Sequence, residues 1–255
     1  TEQWEREMDY QERLRKTAEE AAMANAAKTD FLRRMSHDIR TPINGICGMA
    51  EIGKACAGNG EKTNQCFDKI LTASGFLLEL VNNVLEMSKL EGSEVKEGNT
   101  PFAIGELLTS ALTMVESQAA AMGVTVEVEP PRGEHLHLIG SPLNVQQIVQ
   151  NIMANAVKYN RPGGSVHVKC EEKSSDGEKA VFVFTCADTG VGMSEEFQKH
   201  AFEPFVQENA QARSNYPGSG LGLAIAKSYT EACGGILAVS VDGDLFKVTI
   251  RLPLA

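Results

Sequence analysis

Hydrophobic residues between positions 31 and 51 recur at alternating intervals of three and four, which is the spacing of a heptad seam along one face of an α-helix. With Leu32 at an a position, His37 falls at f, the position that points furthest from the seam. The pattern therefore predicts one long amphipathic helix that presents an imidazole to solvent. The seam comprises Leu32, Met35, Ile39, Pro42, Ile46 and Met49.

The outward face of this predicted helix carries charged and polar residues around His37. Asp38 is its direct neighbour, and a carboxylate beside an imidazole can orient it or take its proton. Pro42 has no N–H to donate to the carbonyl of Asp38, and its ring clashes there, so we expect a kink just after His37. The residues three or four positions from His37 are Arg33, Arg34, Arg40 and Thr41.

A helical hairpin is predicted around this face. Residues 1–28 lack Pro and Gly and are rich in helix-forming residues, so they are either a solvated helical tail or a signalling helix that enters from an upstream sensor. Gly58-Asn59-Gly60 is turn chemistry, and a second helix should span about 63–90. This second helix has two parallel apolar stripes, which form a wider face than one hairpin can cover. We therefore expect a homodimer that forms a four-helix bundle. The stripes consist of Ile70, Leu77 and Val84, and of Leu71, Leu78 and Leu85.

The pattern changes after Glu91-Gly92-Ser93. The hydrophilic stretch to Thr100-Pro101 is interpreted as a linker, and the remainder mixes helices with alternating strands. We expect an α/β sandwich with a mixed sheet on one side and helices on the other. The predicted domains are an N-terminal signalling helix at 1–28, an all-α dimerisation hairpin at 29–95 and the α/β domain at 96–255. Helices are predicted at 104–122, 142–159 and 221–232, and strands at 124–128, 135–139, 165–170, 180–187, 236–241 and 246–252.

Composition narrows the classes of function. The 255 residues carry a net charge of −10, which argues against direct binding to nucleic acid or to an anionic membrane surface. No uninterrupted apolar run is long enough to span a bilayer, the longest being near 180–187, so we expect no direct membrane contact. The chain starts at Thr1, which suggests a fragment. Six cysteines without CxxC spacing fit a reducing cytoplasm.

The predicted helix at 142–159 carries two amide side chains at helical spacing. Ser141 and Pro142 open it as N-cap and first helical residue. Asn151 and Asn155 are four apart, so both amides project from one face, and Lys158 follows on the same side. Amide oxygens can join a magnesium shell without adding negative charge beside a triphosphate. Taken alone, these residues would fit a solvated helix face better than a metal site.

Two glycine-containing segments follow. Asp188-Thr189-Gly190-Val191-Gly192 comes directly after an apolar strand, where a carboxylate can accept a hydrogen bond from the exocyclic amine of adenine and glycines allow a close approach. Gly218-Ser219-Gly220-Leu221-Gly222 precedes a helix, where backbone N–H groups and the helix dipole would face phosphate. It is not a Walker loop, because Ala226 precedes Lys227-Ser228 where that motif requires Gly.

A polar stretch lies between these glycine segments. Phe202-Glu203-Pro204-Phe205 would anchor its start, and residues 208–216 lack any hydrophobic pattern. We interpret 208–216 as a lid that closes over a nucleotide, with Arg213 within reach of the phosphates. His135 and His137 alternate on one predicted strand and are interpreted as surface histidines, because a metal site would need more ligands.

Together these segments resemble the sensor histidine kinases of two-component systems. The run Ser36-His37-Asp38-Ile39-Arg40-Thr41-Pro42 resembles their phosphoacceptor box. The segments at 151–159, 188–192, 202–205 and 218–222 resemble their N box, first glycine box, F box and second glycine box, in the expected order. The resemblance implies a dimerisation and phosphotransfer domain, then a catalytic domain of the superfamily that includes gyrases, mismatch-repair ATPases and large chaperones.

The resemblance also implies a role for each site residue. His37 is the group phosphorylated from ATP, Asp38 orients it, and Thr41 positions water for dephosphorylating a response regulator. Asn155 is the main magnesium contact, and Asn151 lies on metal or phosphate. The other nucleotide-binding residues are Lys158, Tyr159, Asp188, Gly190, Gly192, Gly218, Ser219, Gly220, Leu221 and Gly222.

The implied cofactors are ATP and Mg²⁺, and the implied partners are a second copy, a response-regulator receiver domain and an upstream sensor domain. Many family members carry Glu where Asp38 stands. Many single-receptor kinases carry Arg where Gln207 stands, and in having Gln there this chain resembles the hybrid kinases. Two alternatives stay open. One is a nucleotide-binding scaffold that signals by conformation without phosphotransfer. The other is a gyrase- or chaperone-like ATPase, which would leave the heptad helix and its histidine face unexplained.

Overall fold

The chain divides into two compact units, residues 1–78 and 79–255. Helix α1 (Glu2–Ala55) lies in the first unit, and helix α2 (Gly60–Glu91) begins in the first unit and ends in the second. The computed structural model describes residues 2–91, 100–204, 206–208, 220–242 and 245–254.

The turn between α1 and α2 forms where the glycines predict it. The side chain of Asn59 accepts a hydrogen bond from the backbone N–H of Lys62 at 3.1 Å and so caps the start of α2. The Thr63 hydroxyl lies 3.0 Å from the carbonyl oxygen of Cys56, across the turn. A Cβ added to Gly53 would lie 3.4 Å from the Cβ of Cys66, so the two helices pack closely there. The predicted hairpin is confirmed.

The predicted seam of α1 is the covered side of that helix. Pro42 is buried within an uninterrupted helix, and the seam residues Met35, Ile39, Ile46 and Met49 are half-buried. Only Leu32, at the start of the seam, is exposed.

One stripe of α2 is left uncovered. Ile70, Leu77 and Val84 are half-buried, whereas the second stripe of Leu71, Leu78 and Leu85 is exposed. Segment Gly60–Lys89 is also the one helix in the described part of the chain that is long and apolar enough to cross a membrane, although the core helix of a soluble protein or a signal sequence can be equally long and apolar. Polar residues interrupt it, and its longest apolar run is Gly75-Phe76-Leu77-Leu78.

The second unit is a two-layer α/β sandwich, which confirms the predicted fold class. Its five-stranded sheet has the order β2-β4-β5-β7-β6, with β2 and β4 parallel and the other neighbours antiparallel. Three helices, α3, α4 and α6, form the second layer over the apolar face of this sheet. The elements are α3 (Ile104–Met122), α4 (Pro142–Lys158), α5 (Glu195–Gln198), α6 (Gly222–Ala232), β1 (Thr100–Ala103), β2 (Thr125–Val128), β3 (His137–Gly140), β4 (Ser165–Ser175), β5 (Ala180–Asp188), β6 (Ile236–Asp242) and β7 (Leu245–Leu254).

Two local predictions differ from the structure, which also contains one further helix. Thr100-Pro101, predicted as linker, belongs to β1, which pairs antiparallel with β3 from Thr100 opposite Gly140 to Ala103 opposite His137. Strand β3 begins at His137, so His135 lies before it, where its Nδ1 is 2.7 Å from Oε1 of Glu172. The short helix α5 was not predicted. It begins where the Ser194 hydroxyl accepts a hydrogen bond from the N–H of Phe197.

Candidate functional site

Helix α4 brings the two asparagines to one cavity. The helix begins as predicted, because the Ser141 hydroxyl caps it at the N–H of Asn144. The Asn151 amide nitrogen donates to the carbonyl oxygen of Gln147 at 2.9 Å, which leaves its oxygen as the group available to a ligand. Asn155 lies beside the start of α6, since a Cβ added to Gly222 would be 2.9 Å from its Nδ2.

The end of α4 adds a cation and an aromatic ring. Lys158 is largely buried, with 17% of its side chain exposed, and its Nζ lies 3.4 Å from Oε1 of Glu79 on α2. Tyr159 ends the helix, and burial raises the pKa of its hydroxyl above the ordinary value. Its carbonyl oxygen accepts a hydrogen bond from the N–H of Val191 at 3.1 Å, which ties the end of α4 to the turn after β5.

Asp188 ends β5 at the wall of the same cavity. It is 5% exposed, and its Oδ1 accepts a hydrogen bond from the N–H of Gly190 at 2.9 Å. Burial raises the pKa of this carboxyl to about 6, and the Gly190 hydrogen bond opposes that rise. A Cβ on Gly190 would lie 2.5 Å from the Tyr159 carbonyl oxygen, so only glycine fits there. Gly192 has a φ of +68°, which also favours glycine.

The second glycine segment is described from Gly220 onwards. Gly220 has a φ of +68°, Leu221 is fully buried, and Gly222 begins α6. The predictions for Gly218, Ser219, Phe205, Arg213 and lid residues 209–216 lie outside the described residues.

Residues predicted from three separate segments, at 151–159, 188–192 and 220–222, line one cavity of about 970 Å³, whereas Phe202, Glu203 and Pro204 do not line it. The structure adds a wall that the sequence motifs do not contain, formed by Glu79, Leu85, Glu86 and neighbouring residues of α2. The Tyr229 hydroxyl lies 3.5 Å from Oε2 of Glu86, and burial raises the pKa of that carboxyl. Of the predicted residues, Asn151, Asn155, Lys158, Tyr159, Asp188, Gly192, Gly220 and Gly222 line the cavity.

His37 is exposed on α1, with 71% of its side chain accessible. Its Nδ1 lies 3.1 Å from Oδ1 of Asp38, so the shorter carboxylate still reaches the imidazole. Thr41 is also exposed and donates its hydroxyl proton to the His37 carbonyl oxygen at 3.1 Å. The Ser36 hydroxyl donates in the same way to the carbonyl oxygen of Leu32. This surface can therefore offer an oriented imidazole nitrogen to a reagent.

The chemistry of the cavity fits a magnesium nucleotide. The part of the chain that the structure describes holds no group of three His, Cys, Asp or Glu side chains arranged to bind a metal. The amide oxygens of Asn151 and Asn155 would therefore act with phosphate and water oxygens, which is the ligand set that Mg²⁺ accepts. Lys158 supplies positive charge on the same side of the cavity.

Two protein-family models match the chain, one in its N-terminal part and one in its C-terminal part. Residues 27–93 match the His Kinase A (phospho-acceptor) domain, and residues 140–255 match the Histidine kinase-, DNA gyrase B-, and HSP90-like ATPase domain. The first range includes His37, and the second includes every predicted nucleotide-binding residue.

Curated relatives resemble nearly the whole chain. The sensor histidine kinase AruS of Pseudomonas aeruginosa is 34% identical over 245 residues, or 95% of this chain and 24% of AruS. The autoinducer 2 sensor kinase/phosphatase LuxQ of Vibrio harveyi is 34% identical over 242 residues, or 94% of this chain and 28% of LuxQ. The chain therefore spans about a quarter of the length of these relatives.

Solved structures share the fold. The histidine kinase ThkA, in complex with the response regulator protein TrrA, matches 89% of this chain and 61% of its own with a TM-score of 0.70 at 20% identity. Full-length ShkA in complex with AMPPNP matches 86% of this chain and 44% of its own with a TM-score of 0.62 at 26% identity. The chain belongs to the sensor histidine kinases, and residues 140–255 are their ATP-binding domain.

Proposed function

We propose that this chain is an ATP-dependent protein-histidine kinase that phosphorylates its own His37. The observation that supports this most directly is the exposed imidazole whose Nδ1 lies 3.1 Å from Asp38, within the segment that matches a phosphoacceptor domain. Only the neutral form of an imidazole has a ring nitrogen with a lone pair that can attack phosphorus. With Nδ1 bound to the carboxylate, Nε2 is the nitrogen left to attack.

The proposed reaction exchanges one bond to phosphorus for another. Nε2 of His37 forms a bond to the γ-phosphorus of ATP while the bond to the β,γ-bridging oxygen breaks, and ADP leaves. Asp38 holds the Nδ1 proton and takes it as positive charge develops on the ring. Lys158 and the backbone N–H groups of Gly220 and Gly222 would offset charge on the phosphates. Mg²⁺, held by Asn155 and Asn151, would supply further charge neutralisation when bound.

The adenine end of the nucleotide would lie at the turn after β5. Asp188 would accept a hydrogen bond from the exocyclic amine, and Gly190 and Gly192 would let the backbone approach the base. Tyr159 would flank the nucleotide from the end of α4. In support, all but Gly190 line the one cavity that also contains Asn155 and Lys158.

We also propose the partners of this reaction. The exposed stripe of Leu71, Leu78 and Leu85 would pack against a second copy, which gives the homodimeric four-helix bundle. The phosphoryl group would pass to an aspartate of a response-regulator receiver domain, as the complex of ThkA with TrrA suggests. Thr41 would position water for the reverse, phosphatase reaction; LuxQ is named a kinase/phosphatase. Residues 1–28 would carry the signal from an upstream sensor domain to this cytoplasmic core.

Incubation with γ-labelled ATP and magnesium tests the proposal. We expect acid-labile, base-stable label on the wild type and a loss of at least about 100-fold in His37→Gln, because the amide is no nucleophile. The matched control is His167→Gln, which removes a partly exposed histidine of the second unit and should keep full labelling. Tight nucleotide binding without label in the wild type would contradict the kinase and favour the scaffold.

A further inference from the structure

A buried polar cluster lies directly behind the turn that carries Asp188. Its centre is Asn160, which is 1% exposed although it follows the helix end at Tyr159. Its amide nitrogen donates to the carbonyl oxygens of Ala156 at 3.2 Å and Ser165 at 3.1 Å. A buried amide is costly unless its hydrogen bonds are made, so this side chain is fixed in one orientation.

The amide oxygen of Asn160 connects the cluster to the Asp188 turn. It accepts from the N–H of Arg161 at 2.9 Å and faces the Thr189 hydroxyl at 3.4 Å. The Thr189 hydroxyl in turn accepts from the N–H of Ser165 at 2.9 Å. Its single proton is shared between Asn160 Oδ1 and the Ser165 carbonyl oxygen, which lies at 3.5 Å. A hydroxyl is therefore needed at position 189 as both donor and acceptor.

The space around the cluster is filled. A Cβ added to Gly164 would lie 2.1 Å from Asn160 Oδ1 and 2.8 Å from Thr189 Oγ1, so the loop before β4 closes against both side chains. The backbone adds two further ties, from Thr189 N to the Ser165 carbonyl oxygen and from Val191 N to the Tyr159 carbonyl oxygen, both at 3.1 Å. The Asp188 turn is thus attached at several points to the end of α4.

This attachment joins the two halves of the nucleotide site. Helix α4 carries Asn151, Asn155 and Lys158, and the turn carries Asp188, and all four line the same cavity. In the proposed site the α4 residues would face the phosphates and Asp188 would face the base. We propose that Asn160 and Thr189 are positioning residues for nucleotide recognition, holding the Asp188 carboxylate in register with the phosphate-binding face of α4. The proposal rests on the proposed nucleotide site. It adds two residues that need not touch the nucleotide.

The test compares ATP with ITP, which has a carbonyl oxygen where adenine has its amine. Equilibrium binding of each magnesium nucleotide is measured on wild type, Thr189→Val and Thr189→Ser. Valine keeps the shape and removes the hydroxyl, while serine keeps the hydroxyl. We expect Thr189→Val to reduce the preference for ATP over ITP by about tenfold, the worth of a hydrogen bond to a charged group that is no longer aligned. Thr189→Ser should stay within about twofold of wild type.

The preference is a ratio, so a smaller folded fraction does not change it. A preference that stays unchanged in Thr189→Val, whatever the fall in Tm, would overturn the proposal, as would an equal loss in Thr189→Ser. If Thr189→Val does not fold, the same ratio on Thr189→Ala decides. Nucleotide binding does not require the transfer of phosphate to His37. A failure of the kinase proposal would instead appear as unlabelled wild type, with the nucleotide preferences intact.

Discussion

The two units of the chain differ in how they cover their apolar surface. In the second unit the sheet and helices bury large side chains completely, among them Ile148, Phe182 and Leu252. In the first unit, only Pro42 and Cys66 are buried among the side chains that the structure describes, and Leu71 and Leu78 are exposed at 69% and 63%. The second unit therefore has its own core, whereas the hairpin needs a partner to cover its apolar stripe.

The units also differ in where they keep their polar chemistry. The second unit buries Asp188 and Asn160 and fixes them with hydrogen bonds, so the nucleotide would meet groups that are already oriented. The first unit keeps His37 at the surface with one neighbouring carboxylate. In the proposed cycle this imidazole must reach both an ATP site and a receiver domain, and an exposed position on a rigid helix allows both encounters.

Leu78→Glu has the largest expected effect, because it changes the exposed apolar stripe that distinguishes the hairpin from the second unit. A carboxylate placed in the proposed dimer interface would be buried without a partner, so we expect the dimer dissociation constant to rise by at least about 100-fold, or about 2.7 kcal/mol. The matched control is Leu143→Glu in the second unit, where Leu143 is equally exposed at 64%. Sedimentation velocity over a concentration series measures both variants. A Leu78→Glu protein that remains dimeric, or a Leu143→Glu protein that dissociates, would contradict the assignment of the dimer face.

Asp188→Asn tests how much stability the second unit loses by burying a carboxylate. The pKa of Asp188 is raised to about 6 by burial, so the folded state binds its proton more tightly than the unfolded state. Stability from this group is therefore greatest below the unfolded pKa near ~3.9 and is lost as the pH rises through about 6. The asparagine variant removes that loss, and its Tm should exceed wild type at pH 7.5 but not at pH 4. Its affinity for ADP should fall about tenfold, because the amide replaces a charged acceptor.

Asp176→Asn is the opposite control for this prediction. Asp176 lies in an exposed turn, where the backbone N–H groups of Lys179 and Glu178 lower its pKa. Its contribution to stability is present above the unfolded pKa and is lost as the pH falls, so the variant should lower Tm at pH 7.5 and leave ADP binding unchanged. Thermal unfolding and calorimetric titration from pH 4 to 8 measure both. A fall in Tm for Asp188→Asn at pH 7.5 would contradict the assigned cost of burying this carboxylate.

The sequence predicts elements whose signals are local. The helix at Ile104–Met122 has the predicted bounds, and the hairpin turn lies at its glycines, because periodicity and turn residues are properties of neighbouring positions. Strand β1 escapes prediction because only its pairing with β3, more than thirty residues away in the sequence, makes the polar stretch at Thr100 extended.

The candidate site divides in the same way. Asn151, Asn155 and Asp188 are recognisable because each stands in a short segment of fixed spacing. Asn160 adjoins such a segment, but its role depends on Thr189, which is 29 positions away. The α2 wall of the cavity has no sequence signal, since Glu79 and Lys158 are brought together only by the tertiary fold. Burial also raises the pKa of Asp188, and burial cannot be inferred from the amino-acid sequence alone.

Helix α2 carries the exposed apolar stripe and also forms one wall of the cavity. Glu79→Gln tests the second of these roles, and its expected effect is the smallest. Glu79 is half-exposed and its carboxylate lies 3.4 Å from Lys158 Nζ, so it would compete with a nucleotide phosphate for that cation. Ion pairs of this exposure are worth at most about 1 kcal/mol, so ATP affinity should rise about two- to threefold at low salt. The gain should disappear near ~0.5 M salt, where charges are screened within a few ångströms. Glu116→Gln on the exposed face of α3 is the control of equal charge change and should leave ATP affinity unaltered. An affinity in Glu79→Gln equal to wild type at low salt, measured by the same titration, would show that α2 lines the cavity without opposing the nucleotide.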